Sequence, residues 1–144
     1  MKAIYYLSLL GILILGNCYN AAAQCDDKET RKKVKAGLKE YVFETASSKQ
    51  FNAFREPRKV IDATFSVYAD EQYRVLNLCA GFKQKVIFSI YDSKKKLIYS
   101  NDKNPTETSF DFKALETGDY TIRFNFTEES TPTGCVSFAV GYKL

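Results

Sequence analysis

The chain has 144 residues, 21 basic and 17 acidic side chains, a net charge of +4, no histidine and no tryptophan. The absence of histidine excludes Ser-His-Asp and Cys-His catalysis and every His-ligated zinc site. The mild, scattered positive charge lacks the basic stripe expected of a nucleic-acid binder, and seven glycines without a clustered run leave no phosphate-cradling loop.

Lys2 precedes an apolar run at residues 4–15 (IYYLSLLGILIL), and Ala21, Ala22 and Ala23 offer small residues for a cleavage site. Twelve apolar residues are too few for a membrane span, which needs about 20. Residues 1–23 are therefore read as an export signal, leaving 121 residues from Gln24 with 20 bases and 17 acids, enough for one domain with a core. A rival processing site exists at Leu15-Gly16-Asn17-Cys18, which resembles a bacterial lipobox except that Asn17 stands where a small residue is wanted; there Cys18 would carry a lipid. Either way the destination is the periplasm or the exterior. The mature chain keeps Cys25, Cys79 and Cys135, which implies one disulfide and one free thiol. A Cys25–Cys135 bond would tie a loose N-terminus to the last strand, and the alternative joins Cys79 to Cys135. Neither pair has CxxC spacing, so the usual redox and zinc-ribbon readings fall away.

Residues 24–58 are expected to form one helix and a connection, and residues 59–144 a β-domain. From residue 26 to about 47, Val34, Leu38, Tyr41 and Val42 make an apolar stripe at helical spacing. Asp26 and Asp27 stand at its start, and Lys28, Arg31, Lys32, Lys33, Lys35 and Lys39 lie on its other faces. That basic face is either solvated or a docking surface for an anionic component of the cell envelope. Gly37 weakens the helix. After residue 59 the period changes to two. Ile61, Ala63, Phe65 and Val67 mark a first strand, and residues 73–79 (YRVLNLC) a second, with Leu76 and Leu78 on one face and Tyr73 and Val75 on the other. Val86, Phe88 and Ile90 give a third strand, residues 97–100 a fourth, and Phe110 and Phe112 a fifth. Tyr120, Ile122, Phe124 and Phe126 mark a sixth, and Val136, Phe138, Val140 and Tyr142 a seventh. Turn chemistry separates them, as at Ala69-Asp70-Glu71, Asp92-Ser93 and Thr117-Gly118-Asp119. The pattern predicts a mainly β protein: a jelly-roll-like antiparallel β-sandwich of seven or eight strands with one N-terminal helix. Phe88, Ile90, Phe112, Ile122, Phe124, Phe138 and Val140 should fill its core. The hairpin VIFSIYDSKKKLIYS would build one core layer, with Lys94, Lys95 and Lys96 keeping its turn soluble.

The order of these parts, with Ile90-Tyr91-Asp92 before a turn and a short apolar strand, and TGDYTIRF at residues 117–124, resembles the bacterial pre-peptidase C-terminal domain. The closing GCVSFAVGYKL resembles the ends of small exported proteins of Bacteroidetes type. The first resemblance implies a secreted β-sandwich that binds calcium in some members, and turn carboxylates Asp70, Glu71, Asp102 and Asp119 would supply the oxygens. No dense DxDxDG loop accompanies them, so no cofactor is assigned. That family usually accompanies a peptidase, and this chain carries none.

Catalysis would have to rest on paired carboxylates, and Asp92, Asp102, Asp111 and Asp119 all fall in or beside turns, where Asp is expected for backbone reasons. The chain is therefore read as a non-catalytic binding or interaction module whose partner is a protein or glycan of the envelope or exterior. Tyr91 and Tyr99 are its candidate ligand-facing rings. The alternative is a secreted hydrolase or inhibitor acting through loop carboxylates.

Overall fold

A computed structural model describes residues 25, 27–52, 55, 59–82, 86–126 and 133–144. The apolar run at 4–15, the alanines at 21–23 and Cys18 lie outside the described residues. Helix α1 (Asp27–Leu38) is followed by β1 (Val42–Asn52), β2 (Val60–Val67), β3 (Gln72–Asn77) and β4 (Ile87–Tyr91). Then come β5 (Leu97–Ser100), β6 (Ser109–Lys113), β7 (Gly118–Asn125) and β8 (Thr133–Lys143). Among the described residues these strands form two four-stranded sheets, ordered β1-β8-β3-β6 and β2-β7-β4-β5, with every pairing antiparallel. This is the strand order of a jelly roll.

The period-two alternation does what the sequence implies. Phe88, Ile90, Ile122, Phe124, Phe138 and Val140 are buried between the sheets, and Phe112 is half-buried against the same cluster. In β3, Tyr73 and Val75 enter this core, whereas Leu76 turns to the outer face and meets Val34, Leu38 and Ala139. Helix α1 therefore covers the outside of the β1-β8-β3-β6 sheet.

Two expectations about the N-terminal region are corrected. The helix ends at Leu38 instead of running to about residue 47, and Val42 is not part of its stripe but the first, exposed residue of a strand. Lys39 takes a left-handed φ of 53°, and the Tyr41 amide donates back to the Leu38 carbonyl at 2.9 Å, which closes the helix. The Arg74 guanidinium donates to the Gly37 and Leu38 carbonyls at 3.3 and 3.4 Å, satisfying acceptors that the helix leaves open. Gly37 has a reason of its own: a Cβ there would stand 2.8 Å from Leu76 Cδ1, so a larger residue would have to displace that buried side chain for the last turn to approach the sheet this closely. β1, the edge strand beside β8, takes 42–47 of the expected helix and 48–52 of the expected connection.

Cys25, just before the helix, is bonded to Cys135 in β8, with the two Cα atoms 5.5 Å apart. The bond fixes the start of α1 while Arg74 holds its end. Cys79 is the free thiol among the described residues, half-buried against the core. Burial pushes its pKa up to about 12, so it is a poor nucleophile at neutral pH.

Candidate functional site

Strand registers place the loops at two ends of the sandwich. Gln72 of β3 is opposite Lys113 of β6 and Lys143 of β8, Val67 of β2 is opposite Gly118 of β7, and Tyr91 of β4 is opposite Leu97 of β5. One end thus collects loops 68–71, 92–96 and 114–117, the α1–β1 corner and the C-terminus. Among the described residues, the exposed large apolar side chains are Val42, Phe43, Tyr68, Leu97, Leu115 and Leu144. Every one of them belongs to this end. Leu115 is 86% exposed and Tyr68 63% exposed, at loop positions outside any strand alternation. Apolar groups this open cost free energy in water unless something covers them.

The loops that carry them are braced. The Asp70 amide donates to the Ala114 carbonyl at 2.8 Å and the Ala114 amide to the Glu71 carbonyl at 2.9 Å, locking loop 68–71 to loop 114–117. The Ala69 amide donates to Thr117 Oγ1 at 2.9 Å, and the Tyr68 amide to the Tyr73 hydroxyl at 2.8 Å. Lys113 pairs with Asp70 at 2.8 Å. The lysine turn is held by Asp92, whose carboxylate accepts from the Lys94 and Lys96 amides at 2.9 and 2.8 Å. Two of the three lysines do more than keep that turn soluble: Lys94 pairs with Glu116 of the neighbouring loop, and Lys95 Nζ donates to Thr121 Oγ1 at 3.1 Å. A binding surface whose loops are already tied together loses little conformational entropy when it engages a partner.

The other sequence candidates lie apart from one another. Tyr99 is half-buried, stacked on Phe110 with centroids 4.0 Å apart, and its hydroxyl donates to Glu107 at 2.7 Å. Burial, followed by Glu107, raises its pKa. Tyr91 carries the Arg123 guanidinium 5.3 Å from its ring, and Arg123 is itself held by both Asp62 oxygens at 2.7 and 2.8 Å. Asp70, Glu71 and Asp119 belong to the braced end, but Asp102 follows β5 at the opposite end, so the four calcium candidates do not converge. No group of three or more His, Cys, Asp or Glu side chains placed to hold a metal occurs among the described residues. The catalytic carboxylate candidates are likewise engaged. Asp92 caps its turn, Asp102 accepts from the Lys103 amide at 2.8 Å, and Asp119 accepts from Ser66 at 2.7 Å.

Asp111 accepts from Arg74 Nε and Nη2, at 2.7 and 2.6 Å, and from the Tyr41 hydroxyl at 3.2 Å, with Arg74 lying 4.4 Å over the Tyr41 ring. This cluster positions the α1–β1 corner. The Arg74 guanidinium holds the Asp111 carboxyl below its ordinary 3.8, outweighing the opposing effect of burial. A depressed folded-state value makes the pair's contribution complete above 3.8 and lost as pH falls through the folded value. Asp111→Asn is therefore expected to cost about 1 kcal/mol at pH 7, a modest figure because the carboxylate is partly in water. Urea midpoints of the two proteins should converge as pH falls below 3.8. A gap that persists in acid would show that the pair's charge contributes nothing.

Sequence reasoning did not find Tyr68 and Leu115. The signal was present: a large apolar residue placed directly against the turn chemistry of Ala69-Asp70-Glu71 and Thr117-Gly118, where no strand would bury it.

Fold and surface together define an eight-stranded jelly-roll sandwich whose exposed apolar groups sit on a tied loop end. No protein-family model and no curated protein matches the chain. Among solved structures the chain is similar to that of Aeromonas hydrophila PliG, a periplasmic lysozyme inhibitor of g-type lysozyme. The TM-score is 0.53 at 14% identity, over 71% of this chain and 88% of that one. At this identity the likeness is one of fold. Among the described residues no helix is long and apolar enough to cross a membrane.

Proposed function

We propose that this protein is an exported, non-catalytic module that binds a protein of the envelope or exterior through its braced loop end. The observation that carries the reading is the gathering of Tyr68, Leu97, Leu115 and their neighbours at one end of the sandwich. Aromatic and aliphatic anchors on pre-ordered loops are the usual centre of a protein interface. Export is supported by the residue 4–15 run with its alanine site and by the Cys25–Cys135 disulfide, a bond that persists in oxidising compartments. The neighbouring fold belongs to an inhibitor, which supports a protein as the partner class and favours a second reading, inhibition of an exogenous enzyme, through the same surface.

The test is site-specific photo-crosslinking in the exporting cell, with the photoreactive residue at 68 or 115 and, as a control, at 103 at the opposite end. Discrete higher-mass adducts are expected from 68 and 115 and not from 103. Tyr68→Ser with Leu115→Ser should lower binding about tenfold, or ~1.4 kcal/mol, and leave the urea midpoint unchanged because neither side chain is buried. Adducts appearing from both ends alike, or from neither, would sink the assignment.

A further inference from the structure

The outer face of the β1-β8-β3-β6 sheet carries a second surface, which reaches the α1–β1 corner at Phe43 but not loops 68–71 and 114–117. Helix α1 rests over β3 and β8 and leaves a groove of ≈ 680 Å³ between itself and β1. Val34, Leu38, Phe43 and Ala46 provide its apolar lining. Arg31, Lys35 and Lys39 rim it, all three exposed and none in an ion pair among the described residues, and no acidic side chain lines it. Ala46 and Ser48 point to one face of β1 and Ser47 to the other, yet all three line this groove. It therefore wraps over the edge of the strand. β1 is the last strand of its sheet, with β8 on one side and no described strand on the other, so a row of its backbone groups over 42–48 faces outward.

We propose that this edge takes an extended acidic segment of a partner protein, added to β1 as a further strand, whose groove-facing side chains are by turns apolar, seated in the groove, and acidic, set against Arg31, Lys35 and Lys39. Main-chain hydrogen bonds to an open edge supply affinity, and the pockets beside it supply selectivity. Charge decides the occupant. A second copy pairing through its own β1 would bring another basic helix onto the same face of the enlarged sheet, and like charge opposes that arrangement. A carboxylate-bearing strand meets three cations that have no ion pair among the described residues.

The probe is a labelled 11-residue peptide in which Val and Glu take turns on one face and Ser fills the other (VSESVSESVSE), titrated by anisotropy into the disulfide-bonded chain 24–144. The same peptide with Lys in place of each Glu, and phosphatidylglycerol vesicles, serve as comparisons. The Glu-bearing peptide should bind at least tenfold more tightly than the Lys-bearing peptide, and should slow amide exchange within residues 42–52. Arg31→Glu with Lys35→Glu and Lys39→Glu should weaken it at least tenfold at an unchanged urea midpoint. Ala46→Arg, which fills the groove without removing a cation, should weaken it similarly and so separates a seated strand from diffuse attraction. Tyr68→Ser with Leu115→Ser should leave it intact, which keeps this proposal distinct from the loop-end reading. Equal binding of both peptides, protection outside 42–52, or indifference to Ala46→Arg would overturn the proposal. So would binding of the vesicles without the peptide, or a β1-paired dimer in sedimentation.

Discussion

Cys25→Ala with Cys135→Ala is expected to cost about 3–5 kcal/mol of stability and to lower Tm by roughly 10–20 °C. The bond closes a loop of 110 residues, for which the chain-entropy argument gives close to 5 kcal/mol as an upper guide. Its structural consequence is local. A helix of 12 residues is marginal on its own in water, and α1 is held by three things: Cys25 at its start, Val34 and Leu38 against Leu76 and Ala139, and Arg74 at its last carbonyls. Loss of the first should let α1 fray from its N-terminus while the sheets persist. Amide exchange in 27–38 should therefore accelerate more than exchange in β3, β4 and β7. Cys79, with its pKa near 12, has almost no thiolate at neutral pH and does not compete for the bond by exchange. A double variant as stable as the parent, with α1 equally protected, would show that the disulfide is not what docks the helix.

The choice between Cys25 and Cys79 as the partner of Cys135 was more legible than the spacing of the cysteines alone suggests. Cys135 shares its strand face with Ser137 and Ala139, while Val136, Phe138 and Val140 face the core. Ala80 stands opposite Cys135, so Cys79 turns with Tyr73 and Val75 toward the core, and the two thiols lie on opposite faces. Period-two parity thus excludes the Cys79–Cys135 bond once the core face of each strand is known. The same alternation made β2 through β8 readable, and the IYD and TGDYTIRF segments fall on the end of β4 and on β7 as the turn and strand pattern implied. β1 was not readable for a physical reason. Except for Phe51 it is open to solvent along nearly its whole length, so neither of its faces carries an apolar period, and Val42 happened to fall on the helical stripe. The loop-end site was hidden for a related reason. It is made of single apolar residues in turns, and only the strand order reveals that Tyr68, Leu97 and Leu115 share an end.

Phe124→Ala is expected to be the most damaging single core change, at about 3–5 kcal/mol. Phe124 is 1% exposed and sits on the central strand β7, opposite Ile61 of β2 on one side and Phe88 of β4 on the other. Across the sandwich its ring lies 6.4 Å from that of Phe138 in β8. Truncation would therefore open a void bounded by three strands of one sheet and the centre of the other. Antiparallel strands fixed by ladder hydrogen bonds on both sides cannot close in to fill it, so the cavity cost adds to the lost transfer free energy. Phe124→Leu keeps most of the volume and should cost less, about 1–2 kcal/mol. Urea unfolding of the parent, the two variants and Tyr68→Ala would check the ranking, with Tyr68→Ala within about 0.5 kcal/mol of the parent because its ring is in solvent. If Phe124→Ala and Tyr68→Ala proved equally mild, β7 would be one residue out of register with its neighbours, since a shift by one residue exchanges the core and solvent faces of the entire strand.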